Sequence, residues 1–329
     1  MPYARAYLEI IMAGSVVFTL GIAAEDLVRA EGNARYAMFG MLLGAGLNIV
    51  LDPIFIFGLE MGVRGAAIAT ILAQFASTVF LLRYFLAGKG SVAFKPGLLI
   101  PDSTISKEVA AIGLGPFIVE ASNSTMMVFV NNALATYGGD VSIAAFGIIH
   151  RMLLLIFLPM LGISFGLQPI VGYNYGAKQF SRVVESVKAA LKVSTLFSLP
   201  GFLIMFIFPA PIIHIFSSDP ELTAVGTDAM RIVVLVLPFI GFQLVGTTVF
   251  QALGKPRPAF ILSLARQVLF LLPLVLVLPR FYGLDGVWAA FPISDFLACG
   301  LAAGLMWREY NSFRTKEKKY GKNCKMGWM

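Results

Sequence analysis

Apolar runs of about twenty residues recur along the whole chain, each long enough to cross a hydrocarbon layer ~30 Å thick. A segment of that kind has little choice of structure in lipid, because every peptide group must find its hydrogen bond inside the segment. The runs predict an all-α membrane protein of about nine transmembrane helices, over residues 7–28, 36–58, 64–86, 108–136, 142–172, 187–213, 227–251, 258–280 and 284–307. The fourth and fifth runs are longer than a straight crossing needs and are expected to be tilted, kinked or extended. Charged residues make up only 13% of the chain, about half the share of a soluble domain. No cleavable leader is expected at the start, since the first run is too long and holds Glu9, Glu25 and Asp26 in or beside it. Cys299 and Cys324 do not form a metal-binding or disulfide spacing. No phosphate loop, metal cluster or catalytic triad is present as a motif, so the chain does not read as an enzyme, and no cofactor is expected.

The net charge of +7 is an orientation signal, with no nucleic-acid partner implied. With the basic segment 308–325 placed in the cytoplasm, nineteen of the 25 Lys and Arg residues fall on the inner side. Only Arg5, Arg64, Arg231 and Arg280 fall outside, while Arg151 and Arg266 lie within spans. That asymmetry predicts a multi-pass protein of the cell inner (plasma) membrane with a cytoplasmic C-terminus and attraction to lipid head groups. A polar stretch with several Gly and Pro residues divides the chain. The expected organisation is three helices over 1–86, a cytoplasmic linker over 87–107, six helices over 108–307 and a basic tail over 308–329.

The two parts share an internal repeat. RAEGNARYAM at 29–38 aligns with QALGKPRPAF at 251–260, with Gly32 and Gly254 in register. One span further on, GVRGAA from Gly62 aligns with GVWAAF from Gly286. Spans 1–3 therefore correspond to spans 7–9, a six-helix period whose two copies run in the same direction, as in transporters with parallel repeats. The pattern implies a twelve-helix ancestor whose first three helices have no counterpart here.

These stretches, with LNIVLDPIFIFG (47–58), QPIVGYNYGA (168–177) and GVWAAFPISD (286–295), resemble the bacterial branch of the multidrug and toxic compound extrusion (MATE) family over residues 3–310. The resemblance implies two six-helix lobes around a central cleft, alternating access, and export of amphipathic, often cationic compounds in exchange for sodium ions or protons. It equates spans 1–3 with the family's helices 4–6 and spans 4–9 with its helices 7–12; the chain is expected to act as a monomer.

Several side chains could carry that chemistry. Asp52 lies about 9 Å below the outer end of its span, at ~1.5 Å per residue, and a carboxylate at depth normally faces an interior or a wet cavity. Asn48 is one turn earlier on the same face, and Thr70 reaches a similar depth on the next, antiparallel span. Together they form a candidate coupling-ion site, the alternative being plain interhelical hydrogen bonding. These three match the family's N-lobe cation site, whose other carboxylate lies on a helix without counterpart here. Glu120, with Asn123 on the same side, matches an acidic position of the family's seventh helix and is a candidate for substrate or proton binding. His150, Arg151, Arg266 and Asp295 are candidates for a polar network; an Arg266–Asp295 pair would lower the cost of both charges and could be purely structural, and Arg151 could pair with Glu120. Gln168, Pro169, Gly172 and Asn174 read as a helix terminator. The leading function is a cation-coupled antiporter for amphipathic drugs or metabolites. A lipid-linked sugar flippase of the wider superfamily and a non-transporting remnant are the alternatives.

Overall fold

The computed structural model describes residues 2–88, 90 and 102–326. It is helical, with no strand among the described residues. The chain forms two compact units, Met1–Ser106 and Lys107–Met329.

In the first unit, α1 (Pro2–Ala13) and α2 (Ser15–Ala30) meet at a 52° bend between Arg5–Ala13 and Ser15–Arg29. A sharp bend is expected at a Gly–Ser pair, and Gly14–Ser15 sits at this one. The first predicted span is thus a broken rod. Helix α3 (Ala34–Pro53) runs into a wide π turn, Ile54–Gly58, and α4 (Gly62–Leu86) returns. All three earlier helices pack on α4. Small residues set these distances: a Cβ on Gly14 would fall 2.5 Å from Ile71, and one on Gly40 would fall 2.7 Å from Leu81. Hydroxyls join the same seams, Ser77 donating to the Gly40 carbonyl at 2.7 Å and Tyr36 to that of Phe80 at 3.0 Å.

In the second unit, α5 (Ser103–Gly176) is helical throughout except at Gly139, whose φ of 65° and ψ of −166° break it. Its 60-residue apolar part would measure about 90 Å if straight. Instead residues 120–130 and 146–157 line one cavity, so the chain folds back at Gly139 and supplies two crossings. There follow α6 (Phe180–Ile207), the short α7 (Pro209–Phe216), and α8 (Pro220–Val233), which continues through a 3₁₀ segment around Pro238 into α9 (Ile240–Ala252). Then come α10 (Pro256–Leu264), a π segment Ala265–Leu271, α11 (Leu272–Val277) and α12 (Pro279–Met326). One core cluster centres on Trp288 with Phe146 and Phe291, and another on Phe180, Phe250 and Phe313.

Seven helices among the described residues are long and apolar enough to cross a membrane, and the bent pair α1–α2 makes an eighth candidate. Counting the fold-back of α5 gives nine crossings among the described residues, in line with the about nine that the apolar runs predict. Several boundaries differ. The span expected over 187–213 is Phe180–Ile207. Its Arg182, Glu185, Lys188 and Lys192 are tolerated because long side chains reach back to the interface. It stops where Pro209 and Pro211 disfavour continuation. Helix α5 begins at Ser103, inside the expected linker, most of which lies outside the described residues. Helix α12 continues past Arg308 to Met326, in place of a separate tail; residues 327–329 lie outside the described residues. Nor does Pro169 terminate α5, which runs on to Gly176.

The repeat has a structural counterpart with one correction. After α2, Gly32 N donates to Arg29 O and Asn33 N to Val28 O; after α9, Gly254 N donates to Gln251 O and Lys255 N to Phe250 O. The two turns are the same hydrogen-bonded cap, with a left-handed glycine at φ 85° and 66° where a side chain would be strained. The second match shifts by three residues. Gly62 (φ 55°) corresponds to Gly283 (φ 56°), and Gly65 to Gly286, since a Cβ on either of the latter two would lie 2.5 Å from a carbonyl oxygen, of Phe55 or Leu278. The shared pattern is GVRG against GLDG; the chance run of Gly-Val in GVRG and GVWA hid it.

Gly65→Val is expected to cost about 1–3 kcal/mol, because the clash is with backbone that cannot rotate away. Gly46→Ala, with nothing within 4 Å of the new Cβ, is expected to be neutral or to stabilise by up to about 1 kcal/mol. Thermal unfolding in detergent distinguishes the two. At the start of α5, the backbone N–H of Thr104 and that of Ile105 donate to Asp102 and hold its carboxyl below the ordinary carboxylate value. That cap is present above pH 3.8 and is lost as pH falls through the lowered value. Amide exchange at Thr104 and Ile105, corrected for intrinsic rate, should rise there, and Asp102→Ala should show the same fraying at neutral pH.

Candidate functional site

The first unit brings its three candidates together. Asn48 and Asp52 lie one turn apart on α3, and Asn48 Nδ2 donates to Asp52 Oδ1 at 3.1 Å. The same nitrogen reaches Thr70 Oγ1 on α4 at 3.4 Å, and Thr70 donates to its own helix at the Ala66 carbonyl, 2.8 Å away. All three residues are half-buried. The cluster sits where α3 widens into its π turn after Pro53 and where Gly65 lets the two helices touch. In this arrangement the amide presents N–H to both oxygens. Rotating it by half a turn would present its oxygen instead, giving a carboxylate, an amide and a hydroxyl oxygen around one point, a donor set that suits a hard monovalent cation.

The second unit holds a cavity of about 460 Å³. Glu120, Asn123 and Ser124 line it from the first arm of α5, and Phe146, His150 and Phe157 from the second. Arg266 and Gln267 come from the π segment, and Phe291 from α12. Glu120 is exposed and Asn123 half-buried. Arg266 forms a two-pronged ion pair with the buried Asp295, Nε to Oδ1 and Nη2 to Oδ2, the latter at 3.3 Å. Its guanidinium also lies 5.4 Å from the centre of the Phe157 ring. The pairing expected from the sequence is therefore present. His150 rests against the Phe146 ring at 5.8 Å.

Arg151 does not join this group. One residue past His150, it points about 100° round the helix, is exposed, and forms no ion pair with Glu120. At the other end of the unit, Lys255 pairs with the buried Glu309, a contact that sequence reading missed. The two are 54 residues apart, and neither stands out inside a basic segment. Asn174 donates to the Ile170 carbonyl at 2.8 Å, a local bond within α5. No cluster of three His, Cys, Asp or Glu residues occurs among the described residues.

The family profile described as MatE matches residues 116–277. Multidrug export protein MepA of Staphylococcus haemolyticus is 28% identical over 308 residues, covering 93% of this chain and 67% of that protein. The chain spans about two thirds of the length of the curated relatives it matches. A MOP superfamily transporter from Pyrococcus furiosus, described as having a binding pocket of reversed polarity that suggests a different function, superposes with a TM-score of 0.83. It is 26% identical, with 94% of this chain and 70% of that one covered. The MATE multidrug transporter DinF-BH, solved as a complex, is 45% identical, with a TM-score of 0.83 over 95% of this chain and 70% of its own. On that likeness, carried by helices that cross the membrane several times, the chain belongs to the MATE family of membrane transporters.

Proposed function

We propose that this protein exports amphipathic small molecules, cations among them, in exchange for sodium ions or protons, by alternating access. The observation that carries the reading is the convergence of Asn48, Asp52 and Thr70 from two helices at one half-buried point. In that reading the ion is held by Asp52 Oδ1, Thr70 Oγ1 and the rotated Asn48 amide. A proton would be carried by Asp52 alone. The relatives named above as multidrug exporters support the substrate class. The cavity supports it chemically: Phe146, Phe157, Phe291, Met126 and Met127 offer adaptable apolar contact, and the exposed Glu120 offers a counter-charge for a lipophilic cation. His150 and Gln267 would supply hydrogen bonds. A flippase for anionic lipid-linked sugars would call for unpaired cations along the cavity, yet Arg266 is neutralised by Asp295. The asymmetry of Lys and Arg supports a cytoplasmic C-terminus in the plasma membrane.

Two experiments test these roles. In proteoliposomes with an imposed sodium or proton gradient, Asp52→Asn should lower gradient-driven efflux of a cationic dye by roughly tenfold or more, the loss of about 1.4 kcal/mol of coupling. Unchanged efflux would sink the coupling site, and folded wild-type protein that moves no dye under either gradient would favour a non-transporting role. Asp295→Asn should destabilise the protein by up to about 3 kcal/mol, because it leaves Arg266 without its partner. Joint replacement, Arg266→Met with Asp295→Leu, should recover most of that stability in detergent melts. If the double variant melts as low as the single one, an unpaired Arg266 charge is not what destabilises Asp295→Asn.

A further inference from the structure

The Lys107–Met329 unit has a second, quite different concavity. Helices α6, α9 and α12 enclose a groove of about 210 Å³, walled by Val187 and Leu191 on one side and Ala303 and Met306 on the other, with Phe242 and Val249 beneath. It is smaller than the ~300–1,000 Å³ of a site for a drug-sized ligand. Its rim is of another character: Lys188, Trp307, Glu309 and Tyr310 all border it. Glu309 is buried and paired with Lys255. Lys188 is exposed and makes no ion pair with a described residue, and Lys192 follows one turn later on the same helix. Trp307 is 70% exposed beside it. Trp, Tyr and Lys at one level of a membrane helix mark the boundary between head groups and hydrocarbon.

We propose that this groove seats one anionic phospholipid, with its phosphate against Lys188 and part of one acyl chain between α6 and α12. The apolar slot and the cationic rim complement the two ends of such a molecule. A lipophilic cation would be repelled by Lys188 and Lys192, a free phosphate would leave the slot unfilled, and a choline head group would set its own cation beside the lysines. The site is separate from the cavity lined by Glu120 and Arg266 and does not depend on what that cavity exports.

Trp307 is its own reporter. The full chain is placed in phosphatidylcholine vesicles doped with either phosphatidylglycerol or phosphatidylcholine carrying brominated acyl chains, which quench tryptophan on contact. The Trp307 signal is taken as the difference from Trp307→Phe. Brominated phosphatidylglycerol should quench that signal at a bilayer fraction about fivefold lower than brominated phosphatidylcholine does, the preference expected of one basic residue near the surface. Lys188→Gln, at an exposed position, should bring the two lipids together. Ala303→Phe, which fills the slot, should weaken quenching by both. Equal quenching by the two lipids in the wild type, quenching by neither, or a preference that survives Lys188→Gln would overturn the proposal.

Discussion

In hydrocarbon an unpaired peptide group costs several kcal/mol, and the rest of this structure depends on that penalty. It makes each apolar run a helix and leaves conformational choice only at the breaks. The breaks are therefore few and chemically specific. Gly32 and Gly254 end their helices with the same pair of backbone hydrogen bonds, which satisfies carbonyls that would otherwise be left open. Lys178 closes α5 in the same way, its N–H to Tyr175 O and that of Gln179 to Asn174 O, with a left-handed φ of 59°. Where a wider turn is used, as at Ile54–Gly58 and Ala265–Leu271, a candidate functional side chain stands beside it. Asp52 precedes the first π turn, and Arg266 lies in the second.

Charge follows the same economy. Within the spans, Arg266 is paired with Asp295, Glu120 and His150 border a cavity, and Arg151 is exposed on the outer side of its helix. Lys188 and Lys192 of α6 are exposed, within the first half of that helix. Binding and folding are thus hard to separate in the second unit: the Arg266–Asp295 pair both braces the π segment against α12 and sets the polarity of the cavity wall. In the first unit the division is clearer. The glycine and hydroxyl seams of α4 hold the helices, and Asn48, Asp52 and Thr70 lie toward one end of those seams.

Residue pattern alone carried the helical class, the approximate number of crossings and the meeting of Asn48, Asp52 and Thr70. The last was legible because a four-residue spacing puts Asn48 and Asp52 on one face, and antiparallel spans of known length match their depth to Thr70. Arg266 and Asp295 were legible as a pair because two opposite charges in neighbouring spans have few other ways to lower their cost. The Glu120–Arg151 pairing failed for a local reason. Depth can be counted along a helix, but the direction in which an arm of α5 faces is set by its packing, and that turned His150 inward and Arg151 out. The repeat register failed because a Gly-Val match is common, whereas the close approach of Gly65 and Gly286 to a preceding carbonyl appears only in three dimensions.

What the sequence determined by itself was composition-driven: apolar length fixes helices in lipid, proline and glycine mark their ends, and the distribution of lysine and arginine favours one orientation. Those are properties of single segments against solvent. The tertiary structure decided everything that requires two segments to meet: the fold-back at Gly139 that makes one cavity from two arms of α5, the contact of Lys255 with Glu309 across 54 residues, and the groove between α6 and α12. Helices in lipid are all similarly apolar on the outside, so their choice of neighbour rests on close fits of small residues and a few polar contacts. Those fits are distributed over distant parts of the chain and carry no local signature.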